Sequence, residues 1–139
     1  MSYLLDTNVL SELRKSAERA APSVHAWAQR QPMSELSISV ITVMEIEIGV
    51  ARLERRDSAQ GQVLRTWLER DLLAAFATRT LPVDLDVIRR AAGMHVPDRR
   101  SERDVLIAAT ALAHGLVVVT RNIADFRPLG VQLLNPWDD

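Results

Sequence analysis

The sequence predicts an α/β protein, a three-layer α/β/α sandwich with a mainly parallel central sheet. Three observations predict it. Short β-like apolar runs alternate with helical patterns from end to end. The run "LVVVT", Leu116 to Thr120, is almost wholly apolar, as in a strand buried on both faces of a parallel sheet. No repeat, low-complexity tract or long linker interrupts the alternation, so residues 1–139 read as a single domain.

Each element has its own signal. Tyr3 to Asp6 is the first strand, and Thr7 to about Lys15 the helix after it, with Thr7 or Asn8 as caps. A short helix covers Ser23 to Gln29 after Pro22. "LSISVI", Leu36 to Ile41, is the second strand, and "TVMEIEIGVARLERR" continues it as a helix from Thr42. From Gln62 to Ala77 apolar residues at Val63, Leu64, Trp67, Leu68, Leu72, Ala75 and Phe76 keep the helical period. "RTLPV" is a brief strand, and Val87, Ile88, Ala91 and Ala92 mark the next helix. The arginine-rich loop "PDRRSER" leads into "DVLIAATALAH", which Gly115 closes as a C-cap. After "LVVVT" a last strand, Val131 to Leu134, precedes the tail "NPWDD".

Composition narrows the function. A length of 139 residues with 47% hydrophobic content suffices for a real core. No run of about 18 apolar residues could span a membrane, and the N-terminus lacks the basic flank and apolar core of a signal peptide, so a cytoplasmic protein is expected. Cysteine is absent, which excludes disulfides and thiolate metal sites and leaves oxygen or imidazole as metal ligands. A net charge of -1 offers no global field for nucleic acid, so any basic surface is local. Of 17 basic residues only Lys15 is a lysine, leaving arginine as the phosphate ligand.

In parallel α/β sheets ligands bind beyond the carboxyl ends of the strands. Acidic or amide groups stand at four such junctions: Asp6 at the end of strand one, Glu45 in the first turn of the helix after strand two, Asp104 opening the helix before "LVVVT", and Asn122 with Asp125 just after that strand. Each has a plainer explanation. Thr42 and Glu45 form a T-x-x-E capping box, Ser101 and Asp104 the looser S-x-x-D, Asp6 can cap a helix, and Asp125 can be an ordinary loop acid. Their coincidence at equivalent junctions points to a site. Convergent carboxylates repel one another unless a cation is bound, and oxygen ligands select Mg²⁺ or Mn²⁺. Arg52 and Arg56 share the helix face of Glu45, and Arg99, Arg100 and Arg103 crowd the loop before Asp104, where they could follow a phosphate backbone. Trp27 and Trp67 read as core, and His25, His95 and His114 show no ligand spacing.

"LLDTNVLSE", "SVITVMEIEIGV", "ERDVLIAATALAHGLVVVTRNIADF" and "NPWDD", in this order, resemble a PIN-domain protein of the VapC toxin family, nearest to its FitB-like branch. The resemblance runs almost end to end, with only the helix around Trp67 generic. It implies a Mg²⁺-dependent endoribonuclease acting on RNA, the toxin half of a toxin-antitoxin pair, a homodimer neutralised by a small VapB-like antitoxin. The family's first three acidic positions fall on Asp6, Glu45 and Asp104, which form the expected metal site: Asp6 and Asp104 as direct ligands, and Glu45 holding metal-bound water or acting as its base. The fourth, often aspartate in a T-x-D motif, falls on Asn122 with Thr120 at the T. That departure leaves two alternatives open for the fourth position, the Asn122 amide or the Asp125 carboxylate. It also keeps a rival alive, a catalytically degenerate PIN fold serving as an antitoxin-binding or scaffold module. A haloacid-dehalogenase phosphatase would need D-x-D where this chain has "DTN", and both it and a receiver domain would need a later lysine that the chain lacks.

Overall fold

The computed structural model describes residues 1–16 and 18–138; Asp139, the last residue of the tail, lies outside them. The strands are β1 (Tyr3–Leu5), β2 (Leu36–Ser39), β3 (Thr80–Leu81), β4 (Val117–Val119) and β5 (Leu133–Leu134). They form one sheet in the order β3-β2-β1-β4-β5, and every neighbouring pair is parallel. The helices are α1 (Thr7–Arg14), α2 (Pro22–Gln29), α3 (Val40–Arg56), α4 (Ser58–Thr66), α5 (Leu73–Ala75), α6 (Leu85–Met94), α7 (Glu102–His114) and α8 (Ile123–Phe126).

The period-two alternation of strands divides the core into two layers. Leu5, Ile38 and Val119 face α1, α2, α3 and Leu68, while Leu4 and Val118 face Val87 of α6, Val105 and Ala108 of α7 and Phe126 of α8. All three valines of β4 are buried, as a strand covered by helices on both faces requires. The expected three-layer architecture is therefore present.

Several boundaries differ from those read in the sequence, each for a local reason. The helix after β1 is capped by Asp6, whose carboxylate accepts from the Thr7 amide, and not by Thr7 or Asn8. The second strand stops at Ser39, not Ile41, because the Ser39 hydroxyl accepts from the Ile41 amide and starts α3 at Val40. Thr42 is thus inside the helix, and the T-x-x-E capping box does not form. The segment 62–77 is not one regular helix: α4 begins at Ser58, capped by Asp57, and gives way to a wide, π-type turn over Trp67–Leu72. This turn brings both Leu68 and Leu72 into the core while Val63 is left exposed. The last strand is shorter than Val131 to Leu134. Gly115 does close α7, with φ of 65°.

The α3–α4 hairpin is held by Arg65, whose guanidinium takes Glu47 at 2.8 Å and Glu54 at 2.9 and 3.2 Å. Glycine at position 61 permits the close approach, since a Cβ there would lie 2.5 Å from the Glu54 Cα. On the same face of the sheet, the buried Glu12 accepts from the Ala21 amide at 3.0 Å and from Lys15 at 3.1 Å, tying α1 to the start of α2.

Candidate active site

The chain order of the strands reverses between β1 and β4, which leaves a crevice at their carboxyl ends. The ladder runs one residue beyond each strand: the Asp6 amide donates to Val119 O and the Thr120 amide to Leu134 O. Asp6 and Thr120 are therefore placed side by side by backbone pairing, and both are buried.

Their side chains are joined. The Thr120 hydroxyl donates to Asp6 Oδ2 at 2.8 Å, and the Thr7 amide donates to Asp6 Oδ1 at 2.9 Å. Asn8 ties both segments, donating through Nδ2 to Asp6 Oδ2 at 3.2 Å and accepting from the Arg121 amide at 3.1 Å. The Asn122 amide closes the turn onto Thr120 Oγ1 at 3.0 Å. The sheet edge then extends to α3, where the Thr7 hydroxyl donates to Glu45 Oε1 at 2.7 Å. Glu45 is thus oriented from α1 and serves no cap of its own helix.

Asp104, in the first turn of α7, is half-buried. Ser101 stands at the N-cap position and makes no side-chain bond to the helix amides; the S-x-x-D pair meets instead through a side-chain bond from Ser101 to the Asp104 carboxylate. Burial pushes the Asp104 carboxyl up from its ordinary range, and the charges of Asp6, Asp125 and Glu45 push the same way, while the bond from Ser101 lowers it. Burial likewise raises Asp6; the bonds from Thr120, Thr7 and Asn8 oppose this, and the Glu45 charge adds to it. The carboxylates of β1, α3, α7 and α8 therefore share one field. Arg103 reaches this edge, its Nη1 3.8 Å from Glu45 Oε2 with half its side chain in solvent.

Among the described residues no three acidic or histidine side chains stand as a ready-made cage for an ion. The donor chemistry nevertheless fits a hard divalent cation. The ligands are oxygens, Asp6 Oδ1 accepts one bond and keeps an acceptor site free, and burial together with the neighbouring carboxylate charges raises both aspartate pKa values, which a bound cation would oppose.

Asn122 is exposed, and its side chain makes no cap bond to α8. Asp125, one helical turn on, borders with Asp104 a hollow of about 250 Å³. Of the arginines, Arg99 is paired with Glu102 at 2.7 Å, and Arg52 and Arg56 are exposed along α3. His95 accepts the Arg100 amide at 3.1 Å and takes no part at the acidic edge. Trp27 is core, edge-on to Tyr3 at 5.1 Å, Trp67 is half-buried against the same cluster, and Trp137 packs under Arg121 at 5.2 Å. Sequence reasoning missed the work of Thr7 and Asn8; the signal was the "DTN" tripeptide itself, two side chains with hydrogen-bonding groups directly after a strand-end carboxylate.

A parallel sheet with carboxylates gathered beyond its switch point defines a class of α/β domains, and residues 3–128 match the PIN domain family. The chain belongs to that family, in its VapC/FitB branch. It is 38% identical to the VapC ribonuclease Y4jK of Sinorhizobium fredii over 97% of each chain. It superimposes on the crystal structure of FitAcB from Neisseria gonorrhoeae with a TM-score of 0.88 and 35% identity, covering 97% of this chain and 98% of that one. A toxin-antitoxin complex from Klebsiella pneumoniae matches with a TM-score of 0.70 and 26% identity, over 97% of this chain and 98% of that one.

Proposed function

We propose that this chain is an endoribonuclease, the toxin component of a type II toxin-antitoxin pair, hydrolysing RNA phosphodiester bonds with Mg²⁺ or Mn²⁺. The observation that carries the reading is the linked edge Glu45–Thr7–Asp6–Thr120, with Asp104 in the same field. Asp6 and Asp104 would hold the ion, and Glu45 would hold its bound water or act as its base. When bound, the ion neutralises the scissile phosphate and makes water a better nucleophile at neutral pH. Glu45 Oε2, the oxygen not fixed by Thr7, accepts the proton of the attacking water. Thr7 keeps that carboxylate from turning back along α3, Thr120 and Asn8 hold Asp6 Oδ2 at the strand tip, and the Thr7 amide holds Oδ1. Asn122 is the fourth catalytic position, where a neutral amide orients water without adding charge; Asp125 is the alternative.

A small VapB-like antitoxin is the proposed partner. The name of the Klebsiella pneumoniae complex supports it, as does an apolar groove of about 330 Å³ between α1, α2 and the wide turn, lined by Leu10, Leu13, Ala28 and Trp67. A homodimer fits the exposed Val40 and Met44, four residues apart on α3, and Leu85 with Ile88 on α6. Residues 1–139 then act as one domain in the cytoplasm; no helix among the described residues is long and apolar enough to cross a membrane.

Purified protein incubated with total RNA should cleave it in Mg²⁺ and stop on addition of EDTA. Sedimentation at micromolar concentration should show twice the 15.5 kDa of one chain. Asn122, where a carboxylate is usual, favours one other reading, a degenerate scaffold. Absence of cleavage by a folded dimer in either Mg²⁺ or Mn²⁺ would establish that reading instead.

A further inference from the structure

The acidic edge opens on one side into a furrow that the catalytic proposal leaves unused. Its first compartment, about 250 Å³, runs from Asp104 and Asp125 to Arg100, Pro128 and Leu129. A second, about 500 Å³, shares Arg100, Pro128 and Leu129 with the first and continues to Met94, Val96 and Pro97 between the end of α6 and α7. The two are therefore one continuous track leading away from Asp104.

Its chemistry is mixed in a definite way. The floor is apolar: Pro128 and Leu129 in the middle, and Val96, which is 74% exposed, at the far end. The wall at the junction is Arg100, whose backbone is fixed by the bond from its amide to His95 Nδ1 at 3.1 Å. Its guanidinium makes no ion pair among the described residues, whereas neighbouring Arg99 is held by Glu102 and Arg90 by Asp86. An unpaired cation where a compartment bordered by carboxylates meets a more apolar one, continuous with the candidate metal edge, suits a chain of alternating phosphates and bases.

We propose that this furrow binds the single-stranded RNA that flanks the cleaved bond, with one nucleotide in each compartment and Arg100 on the phosphate between them. The inference rests on the ribonuclease reading and extends it to how the substrate is held. Apolar contact with Pro128, Leu129 and Val96 supports base faces without selecting a base, and Arg100 adds affinity with little sequence preference.

The test uses the full-length protein and fluorescein-labelled single-stranded RNA of mixed sequence. Binding is measured by anisotropy in EDTA over a range of salt, and cleavage of the same RNA in Mg²⁺. The variants are Arg100→Gln and Val96→Glu, with Arg70→Gln, on the wide turn that packs against the other face of the sheet, as control. Arg100→Gln should weaken binding several-fold and lower the slope of log K against log salt by about 0.7–1, the loss of one phosphate contact. Val96→Glu, at an exposed position, should weaken binding by charge repulsion. Both should raise KM with kcat nearly unchanged, and Arg70→Gln should match the wild type. If wild-type protein neither binds nor cleaves RNA, the ribonuclease reading itself fails. If the wild type does both and the two furrow variants equal it in affinity, salt slope and KM, the furrow inference alone is overturned. Loss confined to association between copies, with RNA handling intact, overturns it in favour of a protein contact.

Discussion

Replacing Thr120 with valine isolates the bond that joins the two halves of the site. Valine keeps the shape of the fully buried side chain and removes a donor 2.8 Å from Asp6 Oδ2, together with an acceptor for the Asn122 amide and for Asn8 Nδ2, which keeps its bond to Asp6. A hydrogen bond to a charged group is worth about 1.5–3 kcal/mol. The Asn122 amide belongs to an exposed residue and turns to water at little cost. Thr120→Val should therefore destabilise the metal-free protein by about 2 kcal/mol at neutral pH, or lower Tm by roughly 5–10 °C for a domain of this size. In an Asp6→Asn background the acceptor is neutral and the same change should cost only about 1 kcal/mol, leaving a coupling of about 1 kcal/mol between the sites. Urea denaturation in EDTA, with unchanged m-values, measures all four proteins of the cycle. An equal loss with and without the Asp6 charge would refute the idea that this hydroxyl stabilises an ionised carboxylate.

Asp6 and Asp104 both have raised pKa values in the fold, so the folded state binds more protons than the unfolded state in the window above the ordinary value of 3.8. Their contribution is present below that value and is lost as pH rises through the raised values; metal-free stability should fall there, and Asp6→Asn should flatten the fall without lowering stability at neutral pH. Thermal denaturation across acid pH in EDTA reads this directly. Asp104→Ala should abolish RNA cleavage with the circular dichroism spectrum intact, whereas Asn122→Ala should weaken it by about 0.5–1.5 kcal/mol, one neutral hydrogen bond. Asp125→Ala should resemble Asp104→Ala only if it fills the fourth position. Gly61→Ala should destabilise by about 1–3 kcal/mol in urea, because its Cβ would stand 2.5 Å from the Glu54 Cα and force α4 off α3. Unchanged stability would mean that the hairpin has slack the close packing denies.

The layers were legible because the apolar periods are strong: "LVVVT" and "DVLIAATALAH" leave little choice of element or face. Element ends were less so. Ile41 reads as strand by composition, yet one hydroxyl, Ser39, turns the chain into α3 before it. The break at Trp67 is invisible to a period search because the wide turn still returns Leu68 and Leu72 to the core. The acidic positions could be named from their junctions, but their partners could not. Thr7 faces Glu45 across 38 residues, and only the pairing of β1 with β2 and the start of α3 determines that they meet.

The bond between Thr120 and Asp6 spans 114 residues, so its consequence is temporal as well as spatial. A chain emerging from the ribosome presents Asp6 first, then Glu45 and Asp104, but β4 cannot dock beside β1 until nearly all of the polypeptide is out. Loop closure of that length is among the later and slower events of folding. Until then the first carboxylate lacks the hydroxyl that holds it. A fragment ending before Thr120 contains Asp6, Glu45 and Asp104 but lacks the hydroxyl that holds the first of them.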